Sequence, residues 1–201
     1  PLKEYFEQYP FNENEFYLFC GDYIDRGIQN KETLTFLMEL VNNKNVLLLE
    51  GNHERWLNYY ALDEMENVKS KTFLHKTMLE ILDIDKKDLR AFYRKLGQIA
   101  YFEFDNKKYI VSHGGISYMP SELQLVATDQ FINGVGDYNV NIDEVWAENE
   151  KEVIQVHCHR NTYEIDDCEK QSYNLEGKVE FGKDLRVLQL NKNEEPTMIK
   201  V

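Results

Sequence analysis

No apolar run in this chain approaches the length that a bilayer-spanning helix needs, and the opening PLKEYFEQYP has no signal-peptide pattern. Neither a membrane segment nor a secretory leader is expected. Cysteine is scarce: Cys20, Cys158 and Cys168 lack the dense, regular spacing of a disulfide framework, which points to a reducing, cytoplasmic compartment. Positive charge is also in short supply. With 23 Lys and Arg against 36 Asp and Glu, the net charge is -13. That balance excludes broad nonspecific attraction to nucleic acid or to an anionic membrane, but not a local phosphate-binding site. Internal repeats, low-complexity tracts and long linkers are absent. At 201 residues the chain can fill one two- or three-layer core and is short for a second independent domain. A single domain over 1–201 is therefore expected, with 191–201 as a candidate flexible tail.

What the chain does have is a series of apolar runs that each end in chemistry-bearing residues. The run FYLFC (16–20) reads as a buried strand and is followed at once by GDYIDRG (21–27). The glycines allow a sharp turn, which delivers Asp22 and Asp25 at the strand's end. Carboxylates so placed suit divalent cations, and Arg26 offers a planar donor for phosphate. Taken alone, the motif also fits a turn whose aspartates cap backbone amides. NVLLLE (45–50) is a second strand, followed by Gly51-Asn52-His53-Glu54. Further on, a strand through Lys108–Ser112 ends in His113-Gly114-Gly115, and another through Val153–Val156 ends in His157-Cys158-His159. Adjacent strand residues point to opposite faces, so these last three cannot converge on one ion, and Cys158 is read as nonligating.

Between the first two motifs, Asn30 can cap a helix carrying Leu34, Leu37, Met38 and Val41, giving a strand-helix-strand crossover with both motifs at one sheet edge. From 53 to 97 the pattern is helical, with Asp85 capping the last segment and Gly97 ending it. Residues 101–112 read as a hairpin turning at Asp105-Asn106. Phe131–Gly136 reads as a mobile loop, and Asp143–Trp146 as a short element. Runs at 172–175, 179–181 and 185–190 are expected to form an antiparallel second sheet.

In this order, GDYIDRG, GNHE, HGG and a late strand-end histidine resemble the calcineurin-like metallophosphoesterase superfamily, in its phosphoprotein-phosphatase-type branch. The resemblance implies an α/β/β/α sandwich of two mixed sheets flanked by helices. It implies two divalent ions, manganese first, with iron or zinc as alternatives, that activate water for phosphomonoester hydrolysis. It makes Asp22 the bridging ligand and Asn52, His113 and His159 ligands of the second metal. The family has a glycine where this chain has Cys158, so His159 takes the ligand position and His157 is held in reserve. The resemblance makes His53 the general acid, Asp25 the residue that holds its ring, and Arg26 the phosphate contact; Arg160 is a second candidate for that contact.

The family's opening strand, with its Asp-x-His ligand pair, has no counterpart before Asp22. It is expected upstream of Pro1 or from a second chain; the alternative is a departure from the two-metal scheme. The segment VWAEN (145–149) also lacks the arginine that the family often brings to the phosphate. The expected substrate is a phosphate on an RNA or DNA end (2′,3′ type) or on a protein. A diadenosine-polyphosphate hydrolase and a noncatalytic, assembly-dependent subunit are the competing readings.

Overall fold

The computed structural model describes residues 1–160 and 171–201, and packing divides the chain into two compact units: Pro1–Asn12 with Gln98–Val201, and Glu13–Gly97. The chain opens with α1 (Leu2–Gln8), where the rings of Tyr5 and Tyr9 stack at 5.1 Å.

In the unit Glu13–Gly97, β1 (Tyr17–Phe19) lies parallel to β2 (Val46–Leu48), with Tyr17 opposite Val46 and Phe19 opposite Leu48. The connection is α2 (Asn30–Leu40), which buries Leu34, Leu37 and Leu40 on one stripe. The expected crossover is therefore present. Its helix starts differently from the expectation. Gln29 is the N-cap, and Asn30, the first helical residue, donates its amide to Gly27 O at 3.1 Å and to Glu80 Oε2 at 2.8 Å. Next come α3 (Glu54–Ala61), then a π-helical turn (Phe73–Thr77) running into the short α4 (Met78–Glu80), then α5 (Lys86–Tyr93). Asp85 caps α5 through the Lys87 N–H, as its position before the apolar stripe suggested. Gly97 bridges in parallel to Leu49, and Leu48, Leu49, Leu57, Phe73 and Leu89 are fully buried around these elements.

In the other unit, β3 (Ile99–Phe104) and β4 (Lys107–Ser112) form the expected hairpin. Asp105 and Asn106 turn it with φ of 51° and 60°, the left-handed pair that matches strand twist in a two-residue loop. Then follow α6 (Thr128–Asn133), α7 (Ile142–Asn149), β5 (Val153–His157) and β6 (Ser172–Asn174). The sheet order is β3-β4-β5-β6, with β5 parallel to both β4 and β6. Trp146 is fully buried in the core of this unit with Ile110, Phe131 and Val153, and its indole N–H donates to Val153 O at 3.0 Å.

Two expectations are corrected here. Phe131 and Ile132 do not belong to a loop: both are buried in α6, and Phe131 packs in the core with Ile110 of β4 and Val153 of β5. The C-terminal runs do not make one continuous antiparallel sheet either. Ser172–Asn174 joins the mixed sheet, Val179–Phe181 is a 3-10 turn between left-handed Lys178 and Gly182, and β7 (Arg186–Gln189) pairs antiparallel with β8 (Thr197–Lys200). The segment read as a tail thus contains a strand. Cys168 lies outside the described residues. Among the described residues no helix is long and apolar enough to cross a membrane.

Trp146→Ala is expected to lower unfolding free energy by about 3–5 kcal/mol, since it empties the core and orphans the Val153 carbonyl. Chemical denaturation of the two proteins checks this.

Candidate functional site

Within the unit Glu13–Gly97, the chain leaves β1 through a strained turn. Gly21 has φ 92°, and the non-glycine residues Asp22 and Asp25 sit at φ 56° and 79°. Left-handed backbone at such residues persists only where surrounding contacts enforce it. Here the enforcing group is the Glu54 carboxylate, fully buried at the start of α3. Its Oε2 accepts the Gly51 N–H at 2.8 Å and the Asp22 N–H at 2.9 Å, and its Oε1 accepts the Tyr23 N–H at 2.9 Å. The two loops touch through backbone. A Cβ on Gly51 would stand 2.3 Å from Asp22 N, so only glycine fits there. Asp22 Oδ1 in turn accepts the His53 N–H at 3.2 Å.

This juxtaposition brings Asp25 and His53 together. Asp25 Oδ2 lies 3.0 Å from His53 Nδ1, and both residues are buried. Ser70 Oγ donates to the same Oδ2 at 2.5 Å, and Thr77 Oγ1 donates to Oδ1 at 3.1 Å. Burial pushes the Asp25 pKa up, but the donors His53, Ser70 and Thr77 prevail and hold it below the usual carboxylate value. For His53, burial lowers the pKa, while the Asp25 bond and the Asp22 charge raise it, and the net direction is upward. An ionised carboxylate only accepts, so the ring presents Nδ1–H to Asp25 and leaves Nε2 for other chemistry. That nitrogen lies 3.8 Å from Asp22 Oδ2. Asn52 is partly buried and Arg26, next to Asp25, is exposed.

In the other unit, His113 follows β4 directly and is fully buried. Its carbonyl accepts the Cys158 N–H at 2.9 Å, which ties the ends of β4 and β5 together. The rings of His113 and His159 lie 5.0 Å apart, and Tyr138 meets His159 edge-on at 5.2 Å. His159 has left the strand, with φ 66°.

Two further candidate residues make their contacts inside the fold. His157, held in reserve as a metal ligand, is the buried last residue of β5, with Nε2 3.0 Å from Asp143 Oδ1 and Nδ1 3.0 Å from Cys158 O. Each ring nitrogen lies within hydrogen-bond distance of an oxygen. Arg160, a candidate phosphate contact, is 1% exposed and donates to three backbone carbonyls: Gly114 at 3.2 Å, Asp137 at 2.5 Å and Val135 at 2.5 Å. Its guanidinium fastens the loop behind the histidines. A Cβ on Gly134, at φ 73°, would meet Gly114 O at 2.3 Å, so the loop is seated on bare backbone. Sequence reasoning missed Ser70, Thr77 and Asp143 as partners of site residues. No motif or spacing links Ser70 or Thr77 to Asp25, or Asp143 to His157.

Comparison with known proteins identifies the family. A family model for calcineurin-like phosphoesterases matches residues 1–193. The chain belongs to that family. It is 32% identical over 143 residues to the serine/threonine-protein phosphatase 2B catalytic subunit A2 of Saccharomyces cerevisiae, a match covering 70% of this chain and 22% of the relative. A match to the serine/threonine-protein phosphatase 6 catalytic subunit of Caenorhabditis elegans is 38% identical over 76 residues, covering 35% of this chain and 23% of that one. The chain thus spans only about a quarter of the length of these relatives. A solved structure of "a putative diadenosine tetraphosphatase" shares the fold, with TM-score 0.65, 12% identity, and coverage of 99% of this chain and 86% of its own.

The family is dimetal-dependent, and the donor types fit such ions. Each expected ligand (Asp22, Asn52, His113 and His159) offers carboxylate oxygen, amide oxygen or imidazole nitrogen, all suited to borderline divalent cations. The two imidazoles are already adjacent in the fold.

Glu54→Gln is expected to lower stability by about 3 kcal/mol, because its amide would face a buried backbone N–H where an acceptor is required. Equilibrium denaturation measures it. Asp143 offers a pH test. Burial raises its pKa, but the His157 contact and the Ser172 hydroxyl hold it below 3.8. A depressed carboxyl contributes stability that is present above its unfolded value and lost as pH falls through the folded one. Asp143→Asn should therefore cost stability at neutral pH and flatten the acid limb below about pH 4. Unfolding curves across acid pH would show it.

Proposed function

We propose that this chain carries the catalytic residues of a metal-dependent phosphomonoesterase. The observation that carries this reading is the buried Asp25–His53 pair, with Nδ1 engaged by the carboxylate and Nε2 left over. In the proposed reaction, His53 Nε2 delivers a proton to the leaving oxygen, and Asp25 stabilises the imidazolium before transfer. Arg26, exposed beside the pair, binds nonbridging phosphate oxygens. Asp22, Asn52, His113 and His159 would hold two divalent ions, manganese first, with iron or zinc as alternatives. Such ions, when bound, supply water activation and charge neutralisation at the phosphate. We place the protein in the cytoplasm on its cysteine usage.

For the substrate, a phosphoserine or phosphothreonine protein comes first, supported by the serine/threonine phosphatase names of the relatives. A phosphate on a polynucleotide end is the second reading. It is favoured in its 2′,3′-cyclic form, a singly charged diester, by the burial of Arg160, which takes that guanidinium away from the phosphate.

The full-length protein is expected to hydrolyse p-nitrophenyl phosphate with added manganese and to stop in chelator. Asp22→Ala should lose bound metal, whereas His53→Ala should keep it and lose turnover. Metal analysis beside steady-state rates decides the roles; an inert wild type that binds no divalent ion would sink the reading. Side-by-side specificity constants for a phosphothreonine peptide and a 3′-phosphorylated oligonucleotide order the substrates.

A further inference from the structure

Two hydroxyls that belong to no motif converge on the carboxylate behind His53. Ser70 Oγ accepts the Phe73 N–H at 3.1 Å, which uses a lone pair and turns its proton toward Asp25 Oδ2, 2.5 Å away. Thr77 is fully buried and reaches Oδ1 at 3.1 Å. With the His53 contact, Asp25 receives three side-chain donors on two oxygens. One contact would leave the carboxylate free to rotate; three fix its plane. Thr77 closes the π-helical turn Phe73–Thr77. Such a turn holds an extra residue, which shifts the following side chains by about 100° around the axis compared with a regular α-helix. Thr77, the last residue of that turn, is the hydroxyl that faces Asp25.

We propose that Ser70 and Thr77 are positioning residues for His53: they lock the Asp25 carboxylate so that Nδ1 stays engaged and Nε2 stays turned to the leaving oxygen. The proposal rests on the acid role given to His53 above. Neither hydroxyl touches substrate, so both act through Asp25. Their loss should affect esters whose leaving oxygen needs a proton and spare those whose leaving oxygen does not.

The test uses full-length Ser70→Ala, Thr77→Val and the double variant, with Thr77→Ser as rescue. The first readout needs no turnover. In metal-free protein labelled with nitrogen-15 at histidine, the His53 Nδ1–H resonance is expected to be downfield and exchange-protected. It should be lost in the double variant and kept in Thr77→Ser. The second readout is kcat with manganese on phenyl phosphate and on p-nitrophenyl phosphate. The double variant should lose about ten-fold on the first and less than about two-fold on the second, with KM unchanged. A retained resonance, or equal losses on both esters in a folded protein, overturns the proposal. If the wild type hydrolyses neither ester, the acid role fails, while the resonance still decides whether the hydroxyls position the ring. Should Thr77→Val not fold, Ser70→Ala at its partly buried position carries the same two readouts.

Discussion

The proposed catalytic arrangement of the Glu13–Gly97 unit depends on one carboxylate collecting three backbone N–H groups. Glu54 is the first residue of α3, where a negative charge meets the positive end of the helix dipole. From there it binds Gly51 in its own loop and both Asp22 and Tyr23 in the loop after β1. A buried carboxylate is tolerated because its oxygens are supplied with donors. The strained φ values of Asp22 and the meeting of Asp25 with His53 follow from this fastening. Without it, two short loops on a parallel pair only three residues long would have little to set their spacing.

The other unit solves the same problem with the opposite charge. There the buried ion is the Arg160 guanidinium, and it gathers carbonyls rather than amides, from Gly114, Val135 and Asp137. Burial lowers its pKa, yet an arginine stays charged at any ordinary pH. The Asp143–His157 contact, at the end of the same strand, responds to acid instead. One strand end is thus held by a fastener blind to pH and by another that reads it.

The motifs were legible in the sequence because strand-end chemistry is local: an apolar run, a glycine and the reactive residue are neighbours in the chain. GDYIDRG, GNHE and HGG were found that way, as were the β1–α2–β2 crossover and the Asp105-Asn106 turn. What escaped was tertiary. Ser70 and Thr77 stand 45 and 52 positions from Asp25, and nothing in their surroundings marks them. The surroundings of His157 and Arg160 were not legible either, because strand alternation does not say where β5 stops. It ends at His157, and the turn that follows aims Arg160 inward. The C-terminal runs had strand composition, but composition does not name a partner, and Ser172–Asn174 pairs with β5 rather than with its sequence neighbours.

The left-handed backbone at Asp22 has a consequence for how this protein tolerates change. Glycine adopts φ 56° freely, whereas aspartate does so at a cost of roughly 1 kcal/mol. Replacing Asp22 by glycine would relax the turn, but it would also leave the His53 N–H without the carboxylate that accepts it and add a freely rotating residue to the unfolded chain. The relief and the losses are of similar size, so the strained aspartate is nearly neutral for stability. A position that chemistry has reason to keep can therefore stay acidic without weakening the fold.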